Sequence, residues 1–237
     1  MREEAQEGMD ISEKGGQGRS SDRRLFMQFM AFGGCPEPEA LATPLREGGV
    51  TAVVYEDLHD PYGAGVLTLS EDPGFFLGPG REVLRRGPFA ELTQKPDFSW
   101  FGRTYALGYE PDLDETLVER PRRTALHPDW TWAIWYPLRR SGAFARLPED
   151  EQKKILKEHG SIGFRYGRAD LAHDIRLACH GLDPHDNDFL VALTGKELTP
   201  LSKVVEHMRG TQQTALYLER LGPFFVGRAV WKSPAGR

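Results

Sequence analysis

The chain has 237 residues, 39% apolar and 11% aromatic, enough for one large domain or two small ones and too rich for a disordered chain. With 35 acidic against 30 basic side chains the net charge is -5, which argues against a general nucleic-acid binder. No apolar run approaches the roughly 18–20 residues that span a bilayer, and Cys35 and Cys179 alone cannot build a disulfide scaffold, so reduced thiols in a cytoplasmic setting are expected.

Met1–Arg23 is polar and Gly/Ser-rich, without a signal-like apolar segment, and reads as a flexible tail. Leu25–Phe32, apolar and closed by Gly33-Gly34, predicts a buried strand. A short helix over Glu37–Arg46 follows, stopped by Gly48-Gly49, then strands over Val50–Glu56 and Gly65–Ser70 joined by the turn His59–Gly63. Asp72–Leu92 predicts two short helices broken by glycine and proline, and Phe101–Tyr109 a fourth strand. The order is β-α-β-β-α-β.

The second half repeats it. Trp132–Tyr136 predicts a strand ended by Pro137, and Pro148–His159 a helix with Glu149, Asp150 and Glu151 in its first turn. Strands over Ile175–Cys179 and Phe189–Leu193 flank the turn Pro184–Asn187. Thr199 is placed to cap a helix with Pro200 in its first turn, whose stripe runs through Leu201, Val204, Val205, Met208, Ala215 and Leu218 to the stop at Gly222-Pro223. Phe224–Trp231 is the last strand. The expected fold is therefore α+β, with tandem ferredoxin-like units: a tail over 1–23, a scaffold half over 24–127 and a second half over 128–237.

The sharpest chemistry lies in Glu158-His159-Gly160-Ser161-Ile162-Gly163. His159 follows Ile155 by four residues and Leu156 by three, so its imidazole shares their helix face. An imidazole on an apolar face is a candidate axial haem ligand, or else a core histidine hydrogen-bonded to backbone. Gly160-x-x-Gly163 reads as punctuation or close packing.

Four ordered segments then resemble the chlorite dismutase family, haem proteins that include coproheme decarboxylase. They are Trp135-Tyr136-Pro137-Leu138-Arg139-Arg140; Glu158-His159-Gly160 with Gly163 and Tyr166; His180-Gly181-Leu182-Asp183; and Met208-Arg209 with Gly222-Pro223-Phe224-Phe225-Val226-Gly227. Together they span most of the second half. The resemblance implies a dimeric α+β barrel type of fold, haem b or coproheme in the second half, and commonly a homopentamer. It places His159 as the proximal ligand to iron and Tyr136 as the radical relay of the decarboxylases. Arg140 stands where those enzymes usually have a propionate-contacting lysine, Leu138 where many have methionine, and Arg122 where another propionate-binding arginine falls. Guanidinium grips carboxylate bidentately, so Arg122, Arg123, Arg139 and Arg140 are the cations for a porphyrin with four propionates, some of them expected as solvated surface groups.

The chain departs from the family on the distal side. The family spacing from His159 lands on Ala172, and the spacing back from Gly181-Leu182 lands on Asp174, because Gly167–His173 holds about two extra residues. His173 and Arg176 are both candidates. If Asp174 faces the pocket, so does Arg176 by the strand period of two, while His173 points away. Arg176 would favour chlorite or peroxide chemistry; His173 or Ala172 would favour decarboxylation. The expectation is a haem-dependent oxidoreductase, foremost a peroxide-driven coproheme decarboxylase, with chlorite dismutase or peroxidase-like activity, or haem binding without catalysis, as alternatives. The partner is a small porphyrin, with no nucleic acid and no membrane. The His/Asp-rich stretch from His173 to Asp188 is read as strand and turn rather than a second metal site.

Overall fold

The computed structural model describes residues 9–234. A small hairpin, β1 (Glu13–Lys14) with β2 (Ser20–Ser21), precedes the main body. The first unit comprises β3 (Phe26–Gly33), a 3-10 turn running into α1 (Ala42–Glu47), β4 (Ala52–Asp57), β5 (Gly63–Ser70), α2 (Pro79–Val83) flanked by 3-10 turns, and β6 (Thr93–Arg103). A π-turn and α3 (Arg120–Leu126) lead to the second unit. That unit comprises β7 (Trp132–Arg140), α4 (Gly142–Ala145), α5 (Glu149–Arg168), β8 (His173–Ala178), β9 (Phe189–Gly195), α6 (Leu198–Arg209), α7 (Gln212–Tyr217), β10 (Leu218–Leu221) and β11 (Phe225–Lys232).

Both units are antiparallel with one spatial order, β6-β3-β5-β4 and β11-β7-β9-β8, which numbered within each unit is 4-1-3-2. The fold is thus a mixed α+β arrangement of two ferredoxin-like sheets. They join edge to edge. β11 pairs with β4, and β6 meets β8 at Arg103 opposite Ala178, so the eight strands close into a barrel. At that seam Gly102 lacks a Cβ that would lie 2.8 Å from the Cys179 sulfur and 2.9 Å from the Leu177 Cβ.

Alternate residues of each strand fill the barrel. Phe29 is central, its ring centroid 5.4 Å from Trp100, 5.3 Å from Trp135 and 4.8 Å from Phe225. The interior is packed solid, as side chains fill an eight-stranded barrel, so a large ligand must lie on an outer face. The outer face of the first unit is covered by the chain around α1 and α2, burying Leu41, Leu45, Val54 and Val66. The second unit lays Ile134, Tyr136, Leu138, Ala172 and Leu193 against Leu201 and Val204 of α6.

Several elements differ from the sequence-based expectation. Pro137 does not end β7. Its carbonyl accepts from the Gly222 N–H, so its missing N–H faces the break between β10 and β11, where no ladder bond is lost. The helix expected to stop at His159 continues to Arg168, because Ile155, His159, Ile162, Gly163 and Tyr166 form one inward stripe whose packing outweighs the glycines at 160, 163 and 167. Gly163 faces Met208 of α6, and Gly160 faces open space. Thr199 caps nothing; Glu197 stands at the N-cap of α6, which ends at Arg209, and Leu218–Leu221 is a strand along β7 rather than helix. β6 starts at Thr93 because pairing with β3 extends its polar first half, while Thr104 turns the chain away through bonds to Leu25 and Leu117.

The part of the expected flexible tail that is described, Met9–Arg23, is docked. Glu13 pairs with Arg103 at 2.5 Å and accepts the Ala106 N–H, and Gly16 N–H donates to Glu110 O at 2.8 Å. Gly15 and Gly16 serve close approach: a Cβ on Gly15 would lie 2.8 Å from that same Glu110 oxygen, and one on Gly16 3.0 Å from the Tyr109 oxygen. Residues 1–8 lie outside the described part of the chain.

Candidate active site

The site forms where α5 crosses the outer face of the second sheet. The alternation of β8 puts Ile175 and Leu177 into the barrel and Asp174 and Arg176 on the outside, with Ala172 on that same outer side. Asp174 and Arg176 form an ion pair at 2.8 Å. Tyr136 and Leu138 alternate outward on β7.

His159 projects from the inward stripe of α5, which packs on α6, α7 and β8. Its Nδ1 lies 3.1 Å from the Thr211 hydroxyl. That hydroxyl spends its single proton on the Met208 carbonyl at 2.7 Å, so towards His159 it can only accept. The proton therefore sits on Nδ1, and Nε2 is left as a lone pair with no partner among the described residues. Burial pushes the His159 pKa down to about 4, helped by the positive charges of Arg140 and Arg176 and opposed by Glu158 and Asp174. A neutral imidazole, tautomer fixed, with Nε2 open is the form that ligates a metal. His159 is also mid-helix, so no helix-end dipole acts on it.

Tyr136 is buried, its phenol acidity suppressed first by desolvation and then by the nearby charge of Asp174. Its ring lies 4.9 Å from that of Phe224, and its hydroxyl has no hydrogen-bond partner among the described residues.

Arg140 is clamped between Phe144 and Phe189, its guanidinium carbon 4.9 and 4.6 Å from the two ring centres, and its backbone N–H donates to Asp188 at 2.7 Å. It lines a cavity of about 390 Å³ with Ser141, Phe144 and Asp188. Arg140 Nε and Ser141 Oγ are buried there without partners among the described residues, two donors suited to a carboxylate. A carboxylated porphyrin therefore fits the residues present: an open imidazole nitrogen, an apolar sheet face and unpaired donors at its edge.

Other expected site residues fall elsewhere. Arg122 is held by Glu71 at 3.3 Å and Glu119 at 3.8 Å, and Arg123 by Glu115 at 2.5 Å, because α3 lies against carboxylates of the first unit and of its own turn. Arg139 reaches the rim of the cavity but pairs with Asp186 and Glu219. His173 points to the opposite side of β8 from Asp174; it stacks on Trp130 at 3.5 Å and bonds to Asp170. Ala172 is buried among Leu193, Leu201 and Val204. His180 packs on Phe189, His185 bonds to the Pro96 carbonyl, and among the described residues no cluster of three or more His, Cys, Asp or Glu could hold a metal ion.

Two residues escape a reading of the sequence. Thr211 follows the helix break at Gly210, a signal lost when α6 and α7 are read as one helix. Tyr105, expected within a strand of the first half, instead leans on Phe189 at 5.5 Å, between the charges of Arg140 and Arg176.

The sequence model of the chlorite dismutase family matches residues 81–230, well over half of the chain. The chain belongs to the chlorite dismutase family. Among solved structures of this fold, it is similar to a haem-binding protein from Thermus thermophilus, with 22% identity over 87% of this chain and 91% of that one and a TM-score of 0.67. It is also similar to the chlorite dismutase of Candidatus Nitrospira defluvii in complex with imidazole, with 14% identity over 88% and 92% and a TM-score of 0.66. The family match covers the whole face that carries Tyr136, His159, Asp174 and Arg176. No helix among the described residues is long and apolar enough to cross a membrane.

Proposed function

We propose that this family member is a haem-dependent oxidoreductase that decarboxylates coproheme with hydrogen peroxide as oxidant. The observation that carries the reading is Tyr136, a buried phenol without a hydrogen-bond partner among the described residues, on the sheet face shared with Asp174. Haem iron bound there would supply the redox chemistry of peroxide reduction.

His159, with Nδ1 against Thr211, would hold the haem iron. Arg140 and Ser141 grip a propionate at the cavity edge. Tyr136 would give its hydroxyl hydrogen to the oxidising equivalents of peroxide and then take a hydrogen atom from a propionate side chain. That side chain would pass one further electron to the same oxidant and lose carbon dioxide to leave a vinyl group, so that each vinyl consumes one peroxide, reduced to two waters. Asp174 takes a proton from incoming peroxide and Arg176 orients the carboxylate. The pair also favours peroxide over chlorite: the arginine charge is already committed to a carboxylate at 2.8 Å, which repels an anion. Haem b biosynthesis, cytoplasmic residence and homopentameric assembly belong to the same proposal, on family resemblance alone.

Arg176 on the His159 side of β8, with His173 turned away, is the arrangement that the sequence ties to chlorite or peroxide chemistry rather than to decarboxylation, and it favours a second reading, a peroxidase acting on small reductants with haem b as the resident group. Ferric coproheme titrated with peroxide separates the two. The first reading expects the porphyrin to lose the mass of two carboxyl groups and two hydrogens, with Tyr136→Phe binding coproheme but leaving its mass unchanged. Peroxide consumption with an added phenol and an unaltered porphyrin mass gives the second.

A further inference from the structure

The first half meets the site through the segment Thr104–Leu113, and this segment is fastened from both sides. Thr104 is tied back to the barrel by its N–H to Leu25 O and its hydroxyl to Leu117 O. Glu110 folds its carboxylate into the successive N–H groups of Leu107, Gly108 and Tyr109, at 2.8, 2.9 and 3.1 Å. The Ala106 N–H is taken at 3.0 Å by Glu13 of the N-terminal arm, whose other oxygen holds Arg103. Glu13 thus ties the N-terminal arm to the backbone next to Tyr105. Arm and segment also meet through Gly16 N–H and through the Arg19 guanidinium, which donates to Pro111 O.

Between the two fastened residues stands Tyr105. Its ring rests on Phe189, and Phe189 is one of the two rings that clamp Arg140. A continuous line of contacts therefore runs from Glu13 through Ala106, Tyr105 and Phe189 to Arg140.

We propose that Glu13 is a positioning residue for the porphyrin site: by holding Ala106 it seats Tyr105 against Phe189 and thereby sets the guanidinium of Arg140. The inference rests on the reading of His159 and Arg140 as porphyrin-binding groups. It assigns the N-terminal arm a part in the site of the second half, which a solvated leader would not have.

The test uses the full chain with Glu13→Ala, Glu13→Gln and Tyr105→Leu. Amide exchange at Ala106 is followed without porphyrin. Ferric haem and ferric coproheme are titrated by Soret absorbance, and the pH midpoint of the bound spectrum is recorded. Glu13→Ala is expected to speed Ala106 exchange about tenfold, weaken coproheme binding severalfold and move the pH midpoint. Glu13→Gln, whose side-chain oxygen still accepts from Ala106, is expected to recover most of the affinity and spectrum. Tyr105→Leu is expected to reproduce the loss of affinity while Thr104 stays anchored. Faster Ala106 exchange with unchanged affinity and midpoint in Glu13→Ala would overturn the proposal, as would a Tyr105→Leu protein that binds like the wild type. Should the wild-type chain take up neither porphyrin, the site reading itself falls, and this inference with it.

Discussion

Replacing Thr211 by Val tests the assignment of the His159 tautomer most directly. The substitution keeps the buried volume of the side chain and removes only the hydroxyl that accepts from Nδ1 at 3.1 Å and donates to Met208 O at 2.7 Å. Losing the partner that orients a metal-bound histidine weakens metal affinity by about 10–100-fold, roughly 1.4–2.8 kcal/mol at about 1.4 kcal/mol per tenfold. The effect on the fold is separate. Met208 O keeps the Thr211 N–H at 3.0 Å, so no buried carbonyl is orphaned, but the His159 Nδ1–H loses its acceptor, which costs about 1–3 kcal/mol. Ferric haem titrated by Soret absorbance, alongside urea denaturation of the unliganded protein, reads the two effects separately. Thr211→Ser serves as the control that keeps the hydroxyl. If Thr211→Val binds haem as the wild type does while His159→Ala loses it, the proton was not held on Nδ1 by Thr211. If His159→Ala also binds normally, the iron ligand lies elsewhere.

Other outcomes follow from the same structure. Burial lowers the folded-state pKa of His159 to about 4 from 6.5, so the unfolded chain binds the extra proton first as pH falls. That contribution is intact above pH 6.5 and disappears between 6.5 and about 4, on the order of 3 kcal/mol in all. His159→Ala should flatten this limb in urea titrations of the unliganded protein, and parallel slopes would refute the buried neutral state. Lys232 donates to the carbonyls of Ala125, His127 and Trp130 at 3.1, 2.7 and 2.9 Å, so Lys232→Met, which strips all three, should cost about 2–4 kcal/mol by thermal or urea unfolding. In the barrel interior a Cβ on Gly65 would lie 2.6 Å from Phe225 and 2.8 Å from Phe29, so Gly65→Ala should destabilise by about 1–3 kcal/mol; an unchanged melting temperature would mean the aromatic cluster can yield.

The strands were legible because they are buried on both faces. Val53 fills the barrel while Val54 packs outward, and the resulting continuous apolar runs mark strands without long-range information. His159 was visible as a histidine on an apolar helix face, and the order of segments around it carried the family. Helix ends were less legible. Gly160 looks like a stop in sequence, yet α5 runs on because Ile162 and Tyr166 continue the stripe that packs on the sheet and α6. Pro137 looks like a strand end, yet its missing donor falls opposite a gap that only the paired strand reveals.

The arginines divide the same way. Composition supplied a cluster of candidates, but Arg122, Arg123 and Arg140 have the same side chain and differ only in what the fold brings to them. Carboxylates meet the first two, whereas two aromatic rings and an empty edge meet the third. The acidic net charge, which argues against a phosphate-polymer partner, is equally silent on this, since it averages over all those environments. By itself the sequence determined that two like units form an α+β fold and that the family's motifs lie after Trp132, because periodicity and motif order are local properties. Only the tertiary structure decided which side of β8 faces His159, that Thr211 meets its Nδ1, and that Glu13 holds the segment whose Tyr105 leans on Phe189. Those relations join residues tens of positions apart, and strand register and helix packing set them.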